Sequence, residues 1–494
     1  MILSLLAGAL LTTAYAPFYF PIIAPIALCC LLLCWRNSSP WRAFSQGLIF
    51  GFGFFGVHTS WVYISIHTFG NTDIPLALLI TSLFVFILSL GPAFLGYFLS
   101  KYFKKENAFQ WLLVFPAGWI IVEWIFSWIF TGFPWAYLGY SQTTSWLKGY
   151  APILGVYGMS FFVAFTASLL LLLIVQRWKI KLLAFLGIAI IWLGGLALSY
   201  IHWTKPTGKT LTVSLIQGNV PQSIKWDPNA LQNTMSEYSS LTKSNLKSEL
   251  IVWPEAAIPL PLQEATTYIN KIDNMAKQHN TTVILGIPIQ ADEMHYYNAA
   301  IALGNSSGQY DKQHLVPFGE YVPFEKYLRG LIGFFNIPMS SFIANPKTNL
   351  WLTVNNIAIA PFICYEIAYP NLVRKSLPKA QLLLTISDDA WFGKSFASIQ
   401  HLQLGQMRSL ETGRYTVFVS NSGMTAIISP QGCLSQVVLP FRTAVLNSKV
   451  LAMTGETPWV FLGPWPILIF AFLCLLLGLI TSLKGSSKKR LGIA

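Results

Sequence analysis

Three short segments bring a carboxylate, an ammonium group and a thiol to points where the chain leaves an apolar run. Ile251-Val252-Trp253 passes through Pro254 into Glu255. Tyr310-Asp311 passes into Lys312, followed by Gln313-His314-Leu315-Val316-Pro317-Phe318-Gly319-Glu320. Phe362-Ile363 delivers Cys364, then Tyr365 and Glu366. A catalytic cysteine needs a base to make its thiolate. It also needs a positive or N–H-rich pocket for the oxyanion of a tetrahedral intermediate. Glu and Lys together can meet both needs without histidine, so the chemistry suggested is attack by a thiolate through a tetrahedral intermediate. His314 and His401 have no Asp or Ser partner at triad spacing, and His58, His67 and His202 lie at the ends of apolar runs.

The other cysteines say little about chemistry. Cys29, Cys30, Cys34 and Cys474 lie inside apolar runs, where Cys behaves as a small hydrophobe. Cys364 and Cys433 alone lie in the polar part of the chain, which makes no disulfide framework and no Cys-x-x-Cys metal spacing.

The elements around these residues follow from composition. The 494 residues are 54% hydrophobic and 10% charged, whereas soluble domains carry about 25% charged residues. Long stretches must therefore face lipid. The net charge of +13 does not indicate nucleic acid. Its basic clusters, such as Lys101/Lys104/Lys105 and Lys488/Lys489/Arg490, are short and end apolar runs, as membrane-orienting charges do. A span needs about 20 apolar residues. Candidates lie at 1–15, 17–35, 45–66, 76–100, 109–129, 151–175, 181–200 and 459–483. The first lacks a basic leader and runs at once into the second, which favours a span over a cleaved signal peptide. Ala16-Pro17 separates the two.

Lys and Arg follow the second, fourth, sixth and eighth runs, while the loops after the third and fifth offer only Lys148. This alternation predicts cytoplasmic termini and places 203–458 on the opposite side. The predicted divisions are a membrane domain of seven helices (1–202), a water-facing domain (203–458) and a last helix with a basic tail (459–494). In the middle segment Leu211–Ile216, Glu249–Trp253, Thr282–Ile287, Ile357–Ile363, Leu382–Ile386 and Val417–Ser420 read as strands. Asn270–His279 and Gln400–Leu410 read as helices. Such alternation predicts an α/β layered domain.

Taken together and in this order, Trp-Pro-Glu, Lys and Ile-Cys-Tyr-Glu resemble the nitrilase superfamily. Ile216-Gln217-Gly218-Asn219, Ser223-Ile224-Lys225-Trp226-Asp227-Pro228, His314 through Pro323 and Asp389-Ala390-Trp391-Phe392-Gly393 resemble its membrane-bound branch, the apolipoprotein N-acyltransferases. So do Trp61-Val62-Tyr63 and Thr131-Gly132-Phe133-Pro134-Trp135, which extends the resemblance over essentially the whole chain. It implies a nitrilase-like αββα sandwich beside a multi-pass helical domain of about eight spans, in the bacterial inner membrane, with the sandwich in the periplasm. It implies Glu255, Lys312 and Cys364 as catalytic residues, with the acyl group carried as a thioester on Cys364. Glu320 would orient Lys312, the Tyr365 N–H would join Lys312 at the oxyanion, Glu366 would give electrostatic support, and Trp226 and Tyr365 would line the acyl pocket. The donor would be a phospholipid and the acceptor the α-amine of a diacylglyceryl-cysteine on an apolipoprotein. No cofactor or metal would be needed, and the protein would act as a monomer in the bilayer without nucleic acid. One departure stands out: Asp388 occupies a position where the family usually has Asn, and because it flanks the triad little effect is expected.

Two other functions compete. A membrane-tethered amidase would let water resolve the thioester. A transporter with an accessory domain would need ionisable residues within its spans, and only Glu123 clearly qualifies. Because the thioester must be shielded from water, the segments Phe318–Phe324 and Phe334–Ile343, rich in Phe, Pro and Gly, are expected to cover the site.

Overall fold

The apolar runs of the first two hundred residues all become helices, but not all are long. The computed structural model describes residues 1–103, 108–323 and 341–490. Ile74–Tyr102, Trp146–Val175, Trp178–Leu198 and Trp465–Leu483 are long and apolar enough to cross a membrane. A fifth span counts only if Pro40–His58 and Trp61–Phe69 are taken as one. Ile2–Ala14, Ile23–Trp35 and Gln110–Phe126 are shorter. At 1.5 Å per residue, a helix of Ile23–Trp35 (13 residues) reaches about 20 Å, short of the roughly 30 Å hydrocarbon core. The multi-pass character predicted from the sequence is present, with four such helices among the described residues, or five with the bent pair. Lys104 and Lys105, used in the orientation argument, lie outside the described residues.

The chain divides into two compact units, Met1–Ser60 with Leu78–His202 and Phe461–Ala494, and Trp61–Ala77 with Trp203–Val460. Small residues let helices of the first unit approach closely. A Cβ on Gly47 would lie 2.4 Å from the Pro92 carbonyl oxygen, and one on Gly51 2.6 Å from the Ser89 Cα. These two glycines, four apart on one helix face, fit the small-xxx-small pattern of helix contacts in lipid.

In the second unit the strands are β1 (Lys205–Gln217), β2 (Leu250–Val252), β3 (Thr282–Gln290), β4 (Tyr296–Gly304), β5 (Gly308–Asp311), β6 (Leu352–Val354), β7 (Ile357–Ile363), β8 (Leu382–Ser387), β9 (Thr416–Ser420), β10 (Thr425–Ile428), β11 (Leu434–Val438) and β12 (Ala444–Thr454). They form two six-stranded sheets, ordered β12-β1-β2-β3-β4-β5 and β11-β10-β9-β8-β7-β6. In the first sheet β1, β2 and β3 are parallel, and in the second β7, β8 and β9 are parallel. A core of β-branched and aliphatic residues, including Val213, Val252, Ile284, Ile359, Leu384 and Val419, draws on both sheets. The outer face of the first sheet packs Trp253, Leu285 and Ile287 with Tyr238 of α1 (Pro228–Lys243) and Ile269 and Ile272 of α2 (Thr266–Gln278). On the second sheet, α3 (Ala397–Thr412) is buried along nearly its whole length and ends at Gly413, whose φ of 63° makes a left-handed cap. The layers are therefore helix, sheet, sheet, helix, the αββα sandwich that the resemblance implied.

Every strand and helix expected in 203–458 is present, most of them longer than predicted. The helix α1 was not foreseen. Its start is marked by Asp227, whose side chain accepts from Asn229 N, and by Pro228 in the first turn. Its buried face is Thr234, Tyr238 and Thr242, two of them polar, so an apolar stripe was never there to read.

Candidate active site

The chemistry-bearing residues follow the carboxyl ends of strands. Glu255 comes three residues after β2, Lys312 directly after β5, Cys364 directly after β7 and Asp388 directly after β8. Glu255 and Lys312 belong to one sheet, Cys364 and Asp388 to the other. The face-to-face packing of the sheets brings the four together.

Glu255, Asn298, Glu320 and Lys312 close a hydrogen-bonded ring. Asn298 Nδ2 donates to Glu255 Oε1 at 2.7 Å and to Glu320 Oε1 at 2.8 Å. Lys312 Nζ lies 3.3 Å from Glu255 Oε1 and 2.9 Å from Glu320 Oε1. The other oxygens are held by backbone, Glu320 Oε2 by Val316 N at 2.8 Å and Glu255 Oε2 by Asp388 N at 2.9 Å. All four side chains are buried. Isolated charges could not persist there, but paired and fully hydrogen-bonded ones can.

These contacts set the protonation states. Burial alone would push Glu255 up, but the Lys312 ammonium, the Asn298 amide, Lys225 and the Asp388 N–H together hold it below the usual carboxylate range. Burial would likewise lower Lys312, and Glu320 and Glu255 outweigh it and keep the ammonium charged. Cys364 is pushed well above the ordinary thiol value by burial and by Glu255, against the pull of Lys312. At neutral pH the site holds a thiol beside an ionised carboxylate, an arrangement in which a carboxylate can activate a thiol as a general base. A carboxylate has about four lone-pair positions. The ring and the Asp388 N–H use three on Glu255, which leaves a place on Oε2 for an incoming proton.

Cys364 sits on a sharp turn. Its φ of +54° is in the left-handed region, which costs a residue with a Cβ about 1–2 kcal/mol. Glu366, fully buried, ties this turn to the lysine segment. Its Oε2 accepts from Ile363 N at 2.8 Å and Tyr310 OH at 2.9 Å, and its Oε1 from Gln313 N at 2.7 Å and His314 N at 3.1 Å. Burial pushes Glu366 up to about 7 in spite of these donors. A proton added there competes with four groups that already donate. The rate of acyl transfer is therefore expected to fall as pH drops through about 7. A profile of turnover against pH checks this: an acid limb only below about 5, in the ordinary carboxylate range, would mean that Glu366 stays ionised.

Tyr365 is mostly buried, its ring edge-on to Tyr369 with centroids 5.1 Å apart. Trp226 packs with Leu315, Phe342, Tyr296, Tyr321 and Trp391 in a small aromatic cluster. Tyr321 of the expected covering segment is in this cluster. Of Phe334–Ile343, residues 334–340 lie outside the described residues, as does Phe324. Among the described residues no group of three or more His, Cys, Asp and Glu side chains could hold a metal ion.

Several contributors were missed. Asn298 interrupts an apolar strand, which is the signal that could have found it. Lys225 is buried, donates to the Glu255 carbonyl at 3.2 Å and pairs with Asp388 Oδ2. Asp388 also accepts from Asn421 Nδ2 at 3.1 Å. The expectation that Asp388 merely flanks the triad is corrected: its N–H holds Glu255 and its carboxylate neutralises a buried lysine. His401 was set aside for want of an acidic partner. Its Nδ1 lies 2.9 Å from Asp389 Oδ1, a pairing that a separation of twelve positions in sequence concealed.

Residues 7–169 match the apolipoprotein N-acyltransferase N-terminal domain, and residues 212–444 match the carbon-nitrogen hydrolase domain. The apolipoprotein N-acyltransferase of Coxiella burnetii is 43% identical over 480 residues, 96% of this chain and 99% of that protein. Those of Pseudomonas syringae pv. tomato and Methylococcus capsulatus are 40% and 38% identical, over 96% and 94% of this chain and 95% and 93% of their own lengths. An amidase from Nesterenkonia sp. of known structure is 14% identical and matches 52% of this chain and 94% of its own, with a TM-score of 0.37. With both domain models in order, and with relatives of this similarity over nearly its full length, the chain belongs to the apolipoprotein N-acyltransferase family of membrane acyltransferases.

Proposed function

We propose that acyl transfer runs through a thioester on Cys364, with Glu255 as the base for both half-reactions and Lys312 as the principal oxyanion partner. The observation that carries this reading is the ring that leaves Glu255 ionised with an open position on Oε2, beside a thiol on a left-handed turn. In the first half-reaction Glu255 takes the thiol proton and sulfur attacks the ester carbonyl of a phospholipid. The tetrahedral oxyanion is held by the Lys312 ammonium and the Tyr365 N–H. Collapse breaks the C–O bond, and the leaving lysophospholipid oxygen takes the proton back from Glu255. In the second, the free α-amine of a diacylglyceryl-cysteine attacks the thioester and gives a proton to Glu255. The C–S bond breaks, the amide forms and the Cys364 thiolate is reprotonated. The thioester keeps the acyl group activated, so neither half-reaction draws on another energy source. Glu320 holds Lys312 in place, Glu366 holds the Cys364 turn, and Trp226 and Tyr365 line the acyl path.

The acyl-enzyme is expected to survive in detergent without acceptor and to discharge when a diacylated lipopeptide with a free N-terminal amine is added. An N-acetylated lipopeptide has no nucleophilic nitrogen and should leave it intact. The assay loads the full-length protein with phospholipid carrying a labelled acyl chain, removes excess donor and follows the label on a gel. Loss of label to free fatty acid, indifferent to lipopeptide, would instead describe a hydrolase.

We further propose that the protein works as a monomer in the bacterial inner membrane with the sandwich on the periplasmic side. The Lys and Arg alternation supports the orientation. A reporter active only in the cytoplasm should be silent when fused near Gly304 and active after Arg490. Activity at Gly304 would invert the orientation.

A further inference from the structure

The proposed triad leaves unused a buried histidine that touches the nucleophile from behind. His401, with no exposed surface, is carried in the second turn of α3. Its Nε2 lies 3.0 Å from the carbonyl oxygen of Cys364 and its Nδ1 2.9 Å from Asp389 Oδ1. A carbonyl only accepts, so Nε2 donates to it. Nδ1 faces a carboxylate oxygen that already accepts from the Ser387 hydroxyl at 2.6 Å. One ring nitrogen is engaged with the Cys364 carbonyl and the other with Asp389, so the ring is placed to hold the turn of the cysteine.

The contacts form a chain behind Cys364. The Ser387 hydroxyl donates to Asp389, Asp389 pairs with His401, and His401 holds the carbonyl of Cys364. Asp389 is itself fixed, its N–H on the Ser420 hydroxyl at 3.4 Å and its side chain so close to Gly423 that a Cβ there would collide. The residue held in this way is the one whose backbone is in the left-handed region at φ +54°. If the carbonyl were released, the turn could relax, and thiol and Tyr365 N–H would swing together.

We infer that the Asp389–His401 pair is a positioning device that holds the Cys364 turn in its left-handed form and so aims the thiol at Glu255. The inference rests on the proposal that Cys364 is the nucleophile.

The test is single-turnover acylation of the full-length protein in detergent, using a diacyl phospholipid with a labelled acyl chain at varied concentration. His401→Ala is expected to slow acylation on the order of 10²-fold, the effect of misplacing a reacting group by about 1 Å, with the phospholipid concentration dependence unchanged. His401→Gln keeps a donor for the Cys364 carbonyl but loses the bridge to Asp389, and should lose only about tenfold by the same reasoning. Rescue by glutamine without a change in apparent affinity is not what loss of packing alone would give. If the alanine variant cannot be recovered from the membrane, the tenfold loss in His401→Gln carries the test. Rates within about twofold of wild type in whichever variants are recovered, or a loss confined to apparent affinity, would overturn the inference. Cys364→Ser is run alongside: label on that variant would remove the nucleophile assignment itself, a failure distinct from a fast His401 variant.

Discussion

Cys364→Ser is expected to give a folded, membrane-inserted protein that takes up no acyl label, while Cys433→Ser transfers acyl groups at the wild-type rate. Serine fills nearly the volume of cysteine and can adopt the same left-handed backbone, so the turn at φ +54° should persist. The chemistry does not persist. Burial and the Glu255 charge already push the thiol well above its ordinary value, and a hydroxyl in that place is a far weaker acid. A carboxylate held below the usual range cannot take its proton at a useful rate. Cys433 is exposed, and its Sγ is 3.9 Å from the Gln431 carbonyl oxygen, far from any of these groups in its bonding. Label incorporation measured by intact mass, with thermal unfolding as a check on folding, decides the matter. Activity that depends on Cys433 and not on Cys364 would show that the site has been placed wrongly.

Glu255→Gln is expected to stop both thioester formation and its discharge, and Lys312→Met to lower acylation by at least the 10²–10³-fold that removal of one oxyanion donor costs. The two losses differ in cause. A glutamine at 255 brings an NH₂ group to a position where Asn298, Lys312 and the Asp388 N–H all donate. It must leave one donor unmatched, and it has no charge with which to accept the thiol proton. Methionine at 312 keeps the stem of the lysine but leaves Glu255 and Glu320 bridged only by Asn298. With the bridging cation gone the two carboxylates disfavour each other's charge, so the ionised base is weakened along with the oxyanion partner. The measurement is burst-phase labelling followed by lipopeptide chase. Normal accumulation of acyl-enzyme in Glu255→Gln would show that another group serves the first step.

Much of this architecture could be read from the chain because the parallel strands are buried on both faces. Ile357–Ile363 and Leu382–Ser387 are nearly continuous apolar runs, and the abrupt appearance of Cys364 and Asp388 at their ends marks the site. The strand β11 gave no such signal: Leu434–Val438 is almost wholly exposed at the edge of its sheet, and its residues alternate with no buried face. The carboxylates and the lysine were legible because buried charges are rare. The residues that hold them were not. Asn298 and Asp389 act through partners 43 and 12 positions away in sequence, and the Asp388 N–H contributes a backbone group that side-chain identity does not report. In the membrane half hydropathy located the apolar helices, but it does not register where a run breaks or bends, as between Pro40–His58 and Trp61–Phe69.

The segment Trp61–Ala77 has a practical consequence for dissecting this protein. It lies among the apolar helices in sequence but belongs to the sandwich unit. Ser65 Oγ donates to the Trp391 carbonyl at 2.8 Å, and the rings of Trp61 and Phe69 pack on Phe392 and Trp391. A soluble fragment cut at residue 203 would therefore be missing part of its own wall, next to Asp389 and its pairing with His401. Any activity lost by such a fragment could not be assigned to removal from lipid alone. A fair excision would graft 61–77 back onto the catalytic half, so that anchorage and wall are varied separately.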